Sequence, residues 1–378
     1  MNRPSAAQTS QKAENRVIGI DYLRLFAALS VMLYHYGYYF GLTAGEFGGK
    51  VPSFPFLHFA WIGWVGVEIF FVISGYVITY SAAGSTPYRF ARGRVKRIWP
   101  GVLMGATISA WLAPFIPHAS LSAILACYAR TLVLSPKGPW VDGVYWTLVI
   151  ECVFYAIIYL TLLRRGWDGL KLVAAALALW SGAFWMAASL SPALEARASE
   201  YLFGLLLLRH GGLFALGMYI YFLQVDFGDR LSWALASLAL VSSAHEIFHQ
   251  ATLAAEIAHG FVALPFLVWA ACILFMMTAV WTRFSTVAGA SRSNRIAQWF
   301  GRLTYPIYLI HGVIGTVLLP RLSNGVAVWA SVALVLTVST VIISGPEQFI
   351  AAQLGWAMDW AWDFVHAKPD FPAASAFK

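Results

Sequence analysis

The sequence predicts an all-α polytopic membrane protein with about ten transmembrane helices and both termini in the cytoplasm. Three observations carry that expectation. Hydrophobic residues make up 60% of the 378-residue chain and charged residues only 11%, where soluble domains run at about 45–50% and 25%. The apolar residues gather into runs of the roughly 20 residues that a helix needs to cross a hydrocarbon core. The basic residues gather in short segments between those runs, which is how orientation is set in a bilayer.

Taken in order, residues 1–16 form a polar cytoplasmic tail carrying Arg3, Lys12 and Arg16. No clean small-residue cleavage site follows, so the first apolar run is expected to stay as a span. Candidate spans lie at approximately 22–40, 61–83, 100–117, 143–163, 171–190, 201–223, 231–248, 260–282, 299–319 and 326–346. Segment 119–135 is shorter and carries Arg130, which reads as an interfacial or re-entrant helix. With the N-terminus inside, the cytoplasmic segments hold 17 Lys and Arg and the outer segments five. That excess places both termini inside. Residues 17–346 thus form one membrane domain. Residues 347–378 form a cytoplasmic tail whose Trp356, Trp360 and Trp362 suit an amphipathic helix at the headgroup level.

The net charge of +8 follows from these topological clusters, so it gives no ground for nucleic-acid binding. Cys127, Cys152 and Cys272 are far apart, show no metal-ligand spacing and read as buried small hydrophobes. No metal is expected.

The first span, "GIDYLRLFAALSVMLYHYGYYF", keeps three polar residues. Arg24 and His35 are eleven residues apart, close to three helical turns, so they share a face about 16 Å apart along the axis. Asp21 sits three residues before Arg24 and can pair with it. Ionisable groups at such depth are costly and point inward at a partner or cavity. The second span, "GWVGVEIFFVISGYVITY", offers small residues for close helix approach and carries Glu68, suited to hold a cation or orient a histidine. Five cations in "YRFARGRVKRIWP" exceed what topology needs, and Arg94 and Arg97 face one way on a helix. Phosphate binding and attraction to anionic lipid both account for them. Glu151 lies deep in "VYWTLVIECVFY", flanked on its own face by Thr147 and Tyr155. In "FGRLTYPIYLIHG", Tyr305, Tyr308 and His311 form one polar stripe. His210 adjoins Arg209. His245, Glu246, His249, Glu256 and His259 cluster toward an outer loop without a standard metal motif.

These stretches together resemble the integral-membrane acyltransferase type 3 family, in the family's order and over nearly the whole chain. The resemblance matches Arg24 and His35 to the family's arginine and histidine of the first span. It matches Arg94 and Arg97 to the paired arginines before the third, and Trp146 and Glu151 to the tryptophan and glutamate of the fourth. Thr147 stands where serine is usual, and "SGPEQF" departs from the usual Glu-x-Pro ending, so no site is carried over there.

The resemblance implies transfer of an acyl group, most often acetyl, from cytosolic acyl-CoA (acetyl-CoA as donor) to a carbohydrate hydroxyl. It also implies the bacterial inner membrane and polysaccharide-assembly partners. On this reading His35 is the base on the acceptor hydroxyl, or relays the acyl group, and Glu151 is its orienting carboxylate. Arg24, Arg94, Arg97, Trp146, Tyr308 and His311 serve donor binding or oxyanion stabilisation. A transporter or flippase for a glycan or lipid intermediate is the alternative, because buried Arg, His and Glu also mark translocation paths.

Overall fold

A computed structural model of the chain describes residues 17–40, 55–116, 119–282, 292–321 and 325–366. These residues are helical throughout, with short connections and no strand among them. Helix α1 (Ile18–Tyr34) runs on into a π-helical turn, His35–Tyr39. A 3₁₀ segment (Pro55–Trp64) leads into α2 (Val65–Ala82), followed by α3 (Pro87–Leu112), α4 (Leu121–Leu132), α5 (Tyr145–Arg165) and α6 (Gly169–Leu190). Two short helices, α7 (Pro192–Glu195) and α8 (Tyr201–Leu205), precede α9 (Gly211–Val225) and α10 (Arg230–Ala258). The chain continues through α11 (Ala263–Trp281), α12 (Arg292–Leu318), α13 (Gly325–Ser344) and α14 (Pro346–His366).

Among the described residues, seven helical stretches are long and apolar enough to cross a bilayer. One of them, Tyr145–Leu190, is 46 residues long and contains both α5 and α6, joined by a turn at Gly166. The protein is therefore an all-α, multi-pass membrane protein. Helix α4 has 12 residues, about 18 Å of rise, too short to cross. The tail 1–16, the residues past 366 and the segment 283–291 lie outside the described residues. With them go Arg3, Lys12, Arg16, Arg283, Lys368 and Lys378 of the orientation argument.

Lipid chains are as apolar as leucine, so burying apolar area does little to hold membrane helices together. Close backbone contact has to supply the cohesion. Helix α9 is buried on all sides from Gly211 to Leu223 and packs most extensively on α2. Their crossing is built on Gly75 and Gly217. A Cβ on Gly217 would lie 2.7 Å from the Tyr76 backbone nitrogen, and one on Gly75 3.0 Å from the Phe214 carbonyl carbon. Around this pair stand α1, α5, α6, α10 and α11.

Helix α3 starts earlier than its apolar run predicts. Thr86 caps it by accepting from the Arg89 N–H at 3.3 Å, and Pro87 occupies the first turn. The whole basic segment is therefore helical, and one side of it is covered by α14. Arg92 donates to both oxygens of Asp359 at 2.7 and 2.6 Å, Tyr88 donates to the same carboxylate at 2.6 Å, and Tyr88 stacks on Trp362 at 4.3 Å. These hydrogen bonds, Arg92 first, hold the Asp359 carboxyl below its ordinary range. Trp356, Trp360 and Phe364 are exposed.

Two expectations need correction. The span at 201–223 is broken: α8 stops at Leu205, Leu207 takes a left-handed conformation (φ 55), and α9 begins only at Gly211. The break sets His210 just before α9, where it meets carboxylates of two other helices. The span at 231–248 continues to Ala258, so His245, Glu246, His249 and Glu256 lie on one helix and not at a loop. An alanine-rich sequence sustains that helix, and Glu246 is tolerated inside because it is paired with His210 and Arg209.

The Gly75–Gly217 crossing has a direct test. Gly217→Leu should lower the unfolding free energy in detergent by about 1–3 kcal/mol or more, read as a loss of thermal stability. Gly93→Ala, at a glycine with open space around it, should leave stability almost unchanged.

Candidate active site

Helices α1, α2, α3, α5 and α12 bring polar residues from five distant stretches to two adjoining cavities. The narrower, about 110 Å³, is lined by Arg24, Arg94 and Arg97 together with Ser74, Glu151 and Tyr155. Each arginine has local support. Arg24 lies 4.0 Å from Asp21, Arg94 lies near the rings of Phe90 (5.7 Å) and Tyr155 (5.9 Å), and Arg97 stacks over Tyr305 at 5.2 Å, 3.6 Å from Glu347. The Arg94 Nε is buried without a hydrogen-bond partner among the described residues. Glu151 accepts a short hydrogen bond from the Ser74 hydroxyl. With three guanidinium groups against one carboxylate, the lining favours an anion.

The wider chamber, about 440 Å³, is lined by His35, Trp64, Glu68, Asp142, Trp146, Arg209 and Gln250, among others. Val67 and Tyr308 belong to both walls. The Tyr308 hydroxyl shares a 2.8 Å hydrogen bond with Thr147, so this pair stands in the partition.

His35 closes α1 where the helix turns π-helical, a local feature that recurs at functional sites. Its Nδ1 lies 2.9 Å from the Val31 carbonyl and 3.1 Å from His311 Nε2. The Nδ1 of His311 faces only carbonyl oxygens, Tyr308 at 2.8 Å and Ile307 at 3.1 Å. Carbonyls cannot donate, so that nitrogen carries the proton and the neutral ring presents a lone pair at Nε2. The neighbouring His35 Nδ1 must then be the protonated one. Assigned in this way from the hydrogen bonds, His35 Nε2 keeps a free lone pair, as a general base requires. The Tyr36 hydroxyl donates to the His311 carbonyl at 2.9 Å and ties α12 to this turn.

The expected pairing of Glu151 with His35 is not what the structure shows. Glu151 belongs to the arginine cavity with Ser74, whereas His35 lines the other chamber and takes its orientation from His311. The reason is helical direction: Glu151 lies six residues into α5, toward the arginine end of α1. Trp146 also lines the wider chamber and not the arginine cavity. Arg24, Arg94, Arg97 and Tyr308 are brought together as expected.

Asp142 was invisible as a site residue in the sequence. Its carboxylate accepts from the N–H of Val144 (3.2 Å) and of Val313 (2.7 Å), linking the start of α5 to the helix that holds His311. A Cβ on Gly312 would come 2.5 Å from this carboxylate, which accounts for the glycine. His245 and His249 make separate contacts, with Ser189 at 3.4 Å and Glu195 at 3.9 Å. The group with metal-ligand proximity among the described residues is instead Glu68, His210 and Glu246.

Residues 17–345 match the family model for the acyltransferase domain of acyltransferase type 3. The chain belongs to that family. Both cavities lie inside the matched residues. Relatives include a candidate membrane-bound transacylase, BcsY, of Komagataeibacter xylinus, 30% identical over 39% of this chain and 37% of that protein. The exopolysaccharide production protein ExoZ of Rhizobium meliloti (strain 1021) is 33% identical over 26% of this chain and 34% of its own length. The matched stretches thus span little more than a third of either relative. No solved structure matches the chain.

Burial on the chamber wall pushes the Asp142 carboxyl up to about 6. A raised folded-state value favours the fold fully below the ordinary carboxylate range, and that contribution is lost as pH rises through about 6. Asp142→Asn should therefore flatten the fall in thermal stability of the protein between pH 4.5 and 7. The parent should lose about 2 kcal/mol over that interval from this group.

Proposed function

We propose that this acyltransferase moves an acyl group, acetyl in the first instance, from cytosolic acyl-CoA to a hydroxyl of a carbohydrate in the envelope or exopolysaccharide. It would do so in the inner membrane of a bacterium, as a ten-span protein with both termini cytoplasmic. The observation that carries the reading is the shared wall: three arginines on one side, a histidine with a free lone pair on the other. Arg24, Arg94 and Arg97 suit the phosphates of coenzyme A, since guanidinium groups bind phosphate through paired, charge-assisted hydrogen bonds. The unpartnered Arg94 Nε is a donor such a ligand would satisfy. The roughly 16 Å between Arg24 and His35 lets the nucleotide stay near water while a pantetheine arm carries the thioester to Tyr308.

In this reading His35 Nε2 takes the proton from the acceptor hydroxyl as its oxygen attacks the thioester carbonyl. The carbonyl becomes a tetrahedral oxyanion, placed to accept from the Tyr308 hydroxyl. The carbon–sulfur bond then breaks, coenzyme A leaves as thiolate, and His35 returns the proton to that sulfur. His311 holds His35 in the working tautomer. Glu151 balances the arginines and keeps Ser74 in place. The name of ExoZ supports a polysaccharide setting.

The test uses purified protein, labelled acetyl-CoA and a cell-envelope glycan fraction. His35→Ala should lower transfer by about 10²–10⁴-fold. Arg94→Ala with Arg97→Ala should raise the acyl-CoA KM by about 10- to 100-fold with a smaller change in kcat. Unchanged transfer by His35→Ala sinks the base assignment. A parent that consumes no acyl-CoA with any acceptor moves the balance to transport.

A further inference from the structure

We infer that Glu68 and the wall around it form an acceptor subsite that selects uncharged sugar rings through their hydroxyl donors and disfavours anionic ones. The inference rests on the acyltransferase reading and adds the substrate class. Glu68 sits in the first turn of α2, is 3% exposed and lines the chamber that contains His35. Its Oε2 has no hydrogen-bond partner among the described residues. The nearest nitrogen, His210 Nδ1, is 3.7 Å away and already lies 2.6 Å from Glu246 Oε1.

The cation on this wall is engaged elsewhere. Arg209 sits with its Nε 3.3 Å from Glu246, donates to the Gln250 side-chain carbonyl at 3.0 Å and reaches the Ser199 carbonyl at 3.5 Å. One guanidinium thus faces two buried carboxylates. Glu68 is left with no nitrogen of the cluster closer than His210 at 3.7 Å. A buried carboxylate oxygen left without a donor costs free energy, and a ligand hydroxyl entering the chamber would supply the donor. A ligand carboxylate has no hydrogen to donate there and leaves that oxygen unsatisfied. Trp146 and Trp64 add flat apolar faces for the C–H side of a sugar ring. Gln250, its carbonyl occupied by Arg209, has its NH₂ left to donate to a ring or hydroxyl oxygen.

The experiment measures binding without any acyl donor, through tryptophan fluorescence of the full chain in nanodiscs. The probes are the methyl glycosides of glucose, galactose, mannose and rhamnose, and the methyl glycosides of glucuronate and galacturonate. At least one neutral glycoside should bind saturably, and its uronate counterpart should bind about tenfold or more weaker. Glu68→Gln should weaken the neutral ligand about tenfold or more and narrow the gap to the uronate. Glu68→Asp, keeping the charge, should restore the discrimination in part, and equal thermal stability of the variants separates recognition from folding. Saturable binding of no neutral glycoside, tighter binding of the uronates, or an unchanged Kd in Glu68→Gln overturns the subsite. Acyl-CoA consumption is assayed separately. A parent that binds neutral glycosides in this pattern but transfers nothing defeats the proposed function alone. A parent that transfers acyl groups while Glu68→Gln binds sugars unchanged defeats this inference alone.

Discussion

Two carbonyl oxygens of α12 press on His311 Nδ1 and so turn the lone pair of that ring toward His35. Much else in the site follows from this contact. It fixes the His35 tautomer without a carboxylate, which keeps a formal charge away from that ring. It also explains the links that bind α12 to its neighbours: the Tyr36 hydroxyl on the His311 carbonyl and the Asp142 carboxylate on the Val313 N–H. Both fasten the turn that carries His311, and a small displacement there would separate two rings whose nitrogens are 3.1 Å apart.

The membrane setting governs how the remaining charges are arranged. A lone ionised group in hydrocarbon is costly, so each is matched within its own neighbourhood. Arg24 has Asp21, Arg97 has Glu347, and Arg209 has Glu246. Arg94 shares its cavity with Glu151, and Glu68 has no closer nitrogen than His210 at 3.7 Å. The partition of Val67, Tyr308 and Thr147 separates the two groups. Under the proposed function the donor's phosphates would lie on the arginine side of this wall and the acceptor hydroxyl on the His35 side.

The helical class, most span positions and the gathering of Arg24, Arg94, Arg97 and Tyr308 were legible in the sequence. Apolar run length and the three-turn spacing of Arg24 and His35 report directly on helices in lipid. The partner of His35 was not legible, because His311 reaches it from 276 positions away and nothing local distinguishes a histidine from a glutamate as the orienting group. Glu151 drew that role because it was the deepest carboxylate; its depth instead reflects Ser74 and the arginines. Asp142 drew no reading from the sequence, because only its tertiary contact with α12 gives it a role. The break at Leu207 and the long reach of α10 escaped for one shared reason. His210 and Glu246 stabilise each other across helices, and each alone looks like a polar interruption in an apolar run.

The most direct measurement of the account is a cryo-EM structure of the protein in nanodiscs with a non-hydrolysable acyl-CoA analogue. The account expects the phosphates within hydrogen-bonding reach of Arg94 and Arg97, and the acyl carbonyl beside Tyr308 with His35 facing it across the partition. Phosphate density in the wider chamber, or an acyl group remote from both Tyr308 and His35, would contradict it.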